Sequence, residues 1–347
     1  MTQDGAERLV KLLYKGILGR EPKEKEFSDW VAAARSELSC LELISRFVES
    51  KEFRERTRVR PFFPPGHYYS PIVDPDSVRD YVRERHARPL SAISGISIDY
   101  GQMLSLLDKL APYMRTTPFT EQRSPPRRFY YDNGSFPYGD AIALRAMIMH
   151  HRPRSIVEIG SGHTSACMLD SAEEAGLDDL SLTCIDPYAE RLKAQLTPSD
   201  MKVVRIIEEP VQNVPLEIFS ALAPGDFLFI DSTHVLKTGS DVHYELFEIL
   251  PALHPGVFIH FHDLHFPFEY PDQWIFERNY CWNEIYALRA FLMYNTAFGV
   301  VYWNSLLAKQ DRELLKAVNP LLLVNPGGSL WMLKKDTSKP LWRRMPW

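Results

Sequence analysis

The residues best suited to chemistry in this 347-residue chain stand at the ends of short apolar runs. The run Ser155 to Ile159 leads into Gly160-Ser161-Gly162, where the glycines allow a tight turn and close approach of the backbone to a ligand at the start of a helix. Glu158 precedes this turn, and Ser165 stands where a dinucleotide fingerprint has its third glycine, so the loop favours a ligand without a pyrophosphate. A bare strand-to-helix turn is the plainer alternative. The next run ends in Cys184-Ile-Asp-Pro187, placing Asp186 where a carboxylate accepts hydrogen bonds from both hydroxyls of a ribose; the alternative is an exposed turn acid before proline.

Two later runs end in Asp231-Ser-Thr-His234 and His260-Phe-His-Asp263. The carboxyl ends of parallel strands open on one crevice, so these acids and imidazoles are expected to gather beside the glycine turn. His260 and His262 share a strand face, where either can serve only to donate to a backbone carbonyl. Together with His265, the side chains of Asp231, His234 and Asp263 are also donors that magnesium, manganese or zinc accept, and a divalent metal stays an open alternative.

Positioning these groups requires a sheet. Runs at Ser155 to Ile159, Ser181 to Ile185, Lys202 to Ile207, Asp226 to Ile230 and Val257 to Phe261 alternate with helical segments, as in a parallel sheet with helices on both faces. Phe298 to Trp303 and Ser329 to Leu333 complete seven strands, the last entering antiparallel after Asn325-Pro-Gly-Gly. The fold class is therefore α/β, a mostly parallel sheet with helices on both faces, with a small N-terminal all-α domain. That domain is read from apolar residues at helical spacing before about Arg56, with Gly19 as a stop, Pro22 as a start, and Ser39 with Glu42 as a capping box. Pro61, Pro64, Pro65, Pro71 and Pro75, interleaved with aromatics, mark a linker. The expected divisions are 1–58, a linker and helical extension over 59–125, and the α/β domain over 126–347.

From about residue 129 to 335 the chain resembles the class I S-adenosylmethionine-dependent methyltransferases of the Methyltransf_24 family. The matching strings are Glu158-Ile-Gly-Ser-Gly, Ile185-Asp-Pro, Phe229-Ile-Asp-Ser-Thr-His, His260-Phe-His-Asp and Pro267-Phe-Glu-Tyr-Pro. The resemblance implies a Rossmann-like seven-stranded fold in which the loop of Gly160, Ser161 and Gly162 holds the methionyl part of S-adenosylmethionine and Asp186, followed by Pro187, holds its ribose. It also implies that Glu209, Val211 and Gln212 flank the adenine. For a hydroxyl acceptor, His234 or His262 would take the proton, with Asp231 or Asp263 orienting it. The Tyr131 to Tyr138 loop would cover the site, and Trp274, Trp282, Asn283 and Glu284 would form an acceptor wall or lid, with packing of an insertion as the alternative. The N-terminal segment Leu13-Tyr-Lys-Gly-Ile-Leu-Gly-Arg-Glu-Pro with Phe47-Val-Glu-Ser-Lys-Glu-Phe resembles the helical module DUF4214 and is expected to mediate protein contacts or oligomerisation.

Composition narrows the function further. Hydrophobic residues at 45% and charged residues at 24% exclude global disorder. A net charge of -5 gives no attraction to phosphate backbones, which argues against nucleic acid. Cys40, Cys167, Cys184 and Cys281 lack paired spacing and read as reduced thiols. With neither a leader nor a long apolar run, no membrane is expected and the compartment is read as cytoplasmic. The expected activity is O-methylation of a small-molecule or saccharide-like acceptor. A nicotinamide-dependent oxidoreductase and a non-catalytic cofactor-binding scaffold are the alternatives.

Overall fold

The computed structural model describes residues 2–17, 20–35, 40–51 and 63–337. Contacts divide the chain into two units, Met1–Ile72 and Val73–Trp347. In the first unit the helices Gln3–Ile17, Glu24–Arg35 and Cys40–Glu49 turn apolar stripes inward, burying Val10, Tyr14, Val31 and Leu43 together. Arg20 spans the first connection by pairing with Glu26 at 3.0 Å. The expected stop at Gly19, the cap at Ser39 and the start of the proline-rich stretch at Pro61 lie outside the described residues.

The second unit is built on a seven-stranded sheet in the order β3-β2-β1-β4-β5-β7-β6. Its strands are β1 Ser155–Ile159, β2 Ser181–Ile185, β3 Val204–Ile207, β4 Phe227–Ile230, β5 Phe258–Phe261, β6 Phe298–Trp303 and β7 Leu330–Lys334. The first five are mutually parallel, and β7 inserts antiparallel to both β5 and β6. Strands covered on both faces need no polar alternation, which is why β1, β4 and β5 are near-continuous apolar runs. The strand order reverses between β1 and β4, and that switch point opens a crevice at the carboxyl ends of the strands.

The helix Tyr138–His151 is buried almost all round and packs against both Tyr100–Met114 and His163–Ala175. The loop leading into it is fastened by Arg128. That guanidinium donates to Asp170 at 2.8 Å, to Glu173 at 2.6 Å and to Asp200 at 2.5 Å, and Asp170 also accepts from the backbone of Arg128 and Phe129. Asp200 belongs to a short helical turn, Asp200–Lys202, so β3 begins two residues later than the apolar pattern suggests.

Candidate active site

Gly160 sits at φ +77°, and a Cβ there would lie 1.9 Å from the carbonyl oxygen of Asp231. Only glycine lets β1 turn this close to the end of β4. The Gly160 amide donates to Ile185 at the end of β2, so three strand ends are tied around one turn. Asp186 completes the turn: its two oxygens accept the amides of Ser161 at 2.9 Å and Tyr188 at 2.8 Å. Each oxygen keeps a second lone pair for a ligand hydroxyl.

Against these residues lies a cleft of about 340 Å³. Gly160, Asp186, Pro187, Val211, Gln212 and Asp231 line it, joined by Tyr188, Ser232, Thr233 and Asp241, to which the sequence reading gave no role. Thr233 donates to Asp241 through both its amide, at 2.9 Å, and its hydroxyl, at 2.6 Å, which fixes that wall. The remaining expected ligands stand elsewhere. Glu209 is exposed and accepts the Asn213 amide at 3.2 Å, leaving Gln212 to approach the cleft while donating to the Gly239 carbonyl. Ser161 and Gly162 carry the turn but do not line the cleft, and Gly162 is packed under the Arg191 side chain.

Glu158 and Ser165 are fully buried beneath the turn. Glu158 accepts the hydroxyls of Thr164 and Ser165, the latter at 2.5 Å, and the Cys184 thiol at 3.3 Å. Burial pushes its carboxyl up to about 7, against the opposing effect of those hydrogen bonds. The strand acid therefore braces the helix His163–Ala175 from below, a role visible in sequence only as hydroxyls six and seven residues after a carboxylate.

Beyond the cleft, Asp231, His234, His262 and Asp263 come together as their strand-end positions suggest. His234 is buried, and its Nδ1 donates to Oε2 of Glu284 at 2.8 Å. Its Nε2 lies 3.6 Å from both Asp231 and Asp263. Burial by itself disfavours the imidazolium, but the hydrogen bond and charge of Glu284, then Asp263 and Asp231, outweigh it and raise His234 to about 9. His262 lies 3.3 Å from Asp263 and is likewise raised against burial by that neighbour and by Asp231 and Asp140. Burial lifts Asp263 to about 6, opposed by His262 and His234. The surrounding carboxylates thus favour the protonated form of His234 and push His262 in the same direction.

His260 is a separate matter. Its ring stacks on Phe229 at 3.8 Å, its Nε2 donates to Ser329 at 2.9 Å, and Ser329 donates onward to Asp140 at 2.6 Å. All three are sealed from solvent, and burial holds His260 well below the usual histidine value. This chain joins β5, β7 and the helix Tyr138–His151 and has no face toward the crevice.

The donors weighed as metal ligands do not fit that role. Among the described residues no group of three or more His, Cys, Asp or Glu is placed to hold a metal ion. His234 spends its Nδ1 on Glu284 at 2.8 Å.

Trp282 packs its ring 4.4 Å from that of His234, and Tyr280 stacks on Trp282 at 4.4 Å, with Trp274 at 5.3 Å, so an aromatic wall does border the acids. Asn283 and Glu284 stand behind His234 instead of closing over it.

Two family models match this chain, each over part of it. Residues 157–264 match the family model Methyltransf_24, described as a methyltransferase domain, and residues 4–57 match DUF4214, a domain of unknown function. An uncharacterized protein of Archaeoglobus fulgidus is 33% identical over 177 residues, spanning 47% of this chain and 75% of its own length. Among solved structures, the SAH-bound methyltransferase PaMTH1 of Podospora anserina is 15% identical over 80% of this chain and 100% of its own, with a TM-score of 0.38. The O-methyltransferase TomG of Streptomyces achromogenes, involved in tomaymycin synthesis and solved with SAM, is 13% identical over 69% and 92%, also at 0.38. The fold itself stands on the strand order. Residues 157–264, which carry the glycine turn and the strand-end acids, are a methyltransferase domain of the Methyltransf_24 family.

Proposed function

We propose that the cleft holds S-adenosylmethionine and that the protein transfers its methyl group to an acceptor hydroxyl. The observation that carries this reading is Asp186, which keeps open lone pairs beside the Gly160 turn at the switch point of the sheet. Gly160 allows close backbone approach, Asp186 is assigned to the ribose, and Pro187 and Gln212 border the adenine end. The acids beyond the cleft suit the cationic end of the ligand. When bound, the ligand supplies an electrophilic methyl on a sulfonium, which the acceptor oxygen displaces.

We assign removal of the acceptor proton to Asp263. It is ionised just above its shifted value of about 6, which suits a base working near neutrality. His234, raised to about 9, keeps its own proton, and both His234 and His262 favour the ionised form of Asp263. Asp231, which lines the cleft and stands 3.6 Å from His234, links the two halves of the site. The acceptor is taken to be a small hydroxylated molecule, saccharide-like compounds included, resting against Trp282 and Trp274.

Calorimetry with S-adenosylhomocysteine tests the reading. Wild type should bind it, and Asp186→Ala should weaken binding by roughly 1.5–3 kcal/mol, the scale for hydrogen bonds to a charged group. Unchanged affinity in that variant removes Asp186 from the ribose site. Binding of NADH in place of S-adenosylhomocysteine favours the oxidoreductase alternative.

A further inference from the structure

Methyl transfer as read above uses neither Asn283 nor Glu284, yet both converge on one segment. The Asn283 side chain pairs with a backbone as a neighbouring strand would: Oδ1 accepts the Leu236 amide at 2.6 Å, and Nδ2 donates to the Leu236 carbonyl at 3.2 Å. The backbone amides of Asn283 and Glu284 both donate to the carbonyl of His234, at 3.0 and 3.1 Å. Glu284 then takes Nδ1 of the same histidine at 2.8 Å through a carboxylate that is 1% exposed.

The residue held in this way has a left-handed backbone, φ +60°. A non-glycine residue keeps such a conformation only where its surroundings over-determine it. Asp263, across the crevice, is left-handed as well at φ +57°, and a Cβ on Gly328 would lie 2.7 Å from its Cα. Both acid-bearing strand ends are thus bent out of regular geometry and pinned from behind, one by the Gly328 segment and the other by Asn283 and Glu284.

We propose that Asn283 and Glu284 are positioning residues, which hold His234 with its Nε2 edge turned to Asp231 and Asp263 and fix its Nδ1 proton on Glu284. Its purpose rests on the transfer reading, but its geometry is testable without an acceptor. The groups facing His234 are Asp231 after β4, Asp263 and His262 after β5, Glu284 on its own helix, and the Trp282 ring. Glu245, buried on the helical run that follows Asp241, is pushed up first by burial and then by the charge of Glu284.

The test uses the full chain labelled with ¹⁵N-histidine. In wild type, the His234 Nδ1 proton should resonate far downfield and persist through neutral pH. Glu284→Gln should move that signal upfield and lower the His234 midpoint by at least one pH unit, a tenfold loss of proton affinity. Asn283→Ala should speed exchange of the Leu236 amide at least tenfold. Both variants should bind S-adenosylhomocysteine within about threefold of wild type, which separates positioning from collapse of the fold. A wild-type spectrum without the downfield proton overturns the proposal even where a variant fails to fold. So does an unchanged His234 midpoint in Glu284→Gln, or an unchanged Leu236 amide in Asn283→Ala. Wild type that shows the signature yet does not bind S-adenosylhomocysteine overturns the transfer reading and leaves the positioning role standing.

Discussion

Gly160 and Glu158, two residues apart on one strand end, are constrained in opposite ways. Gly160→Ala would drive a Cβ into the Asp231 carbonyl at a positive φ, so urea unfolding should show a loss of at least about 2 kcal/mol. Glu158 holds its proton more tightly in the folded chain than its ordinary value of 4.5 allows. The stability it contributes is therefore complete below 4.5 and fades as the pH rises through about 7. Glu158→Gln should flatten that decline, read as a smaller difference between melting temperatures at pH 5 and pH 8. The reactive groups give a second pH dependence. Transfer needs Asp263 ionised and His234 protonated, so kcat/KM should rise through about 6 and fall through about 9. A rate that climbs with a single midpoint between those limits would return His234 to the role of a neutral base.

At the scale of elements, the Arg128 cluster shows what local pattern conceals. Replacing Arg128 with alanine leaves Asp170 and Asp200 buried without their cation, a loss expected to reach about 3–5 kcal/mol in chemical denaturation. Its partners are 42 and 72 residues away in sequence, and Glu284 is 50 residues from His234. No periodicity reports a pairing at such separations. The strands are different: β1, β2 and β6 run from first to last residue where the apolar runs place them, because a strand buried on both faces must be apolar throughout. The crevice was legible for the same reason, since parallel order alone brings the strand ends together. What the sequence concealed was the partner of the second His234 nitrogen, since Glu284 is recognisable beforehand only as an acid at a helix start. Glu209 misled because a strand's end fixes the backbone direction but not which of the next side chains turns inward.

Over the whole molecule, the division at Ile72 and Val73 leaves the glycine turn, the acids and the aromatic wall within the second unit. A fragment of residues 73–347 should therefore fold alone and bind S-adenosylhomocysteine within about threefold of the full chain; loss of binding would assign the helical module a share in the site. The domains proposed from sequence, 1–58, 59–125 and 126–347, differ in placing the helices Pro75–His86 and Tyr100–Met114 outside the catalytic part. The second of these packs on both β6 and Tyr138–His151, so cutting at 125 should expose apolar surface and give an insoluble product.

The antiparallel insertion of β7 bears on synthesis of the chain. Until Leu330–Lys334 has been translated and has left the ribosome, β5 has a raw edge, and Asp140 and His260 lack the serine that joins them. A nascent polypeptide halted after Glu284 and before Ser329 would carry every group assigned to the reaction and still present an unpaired strand to its neighbours on the polysome. Competence is thereby deferred until β7 has emerged.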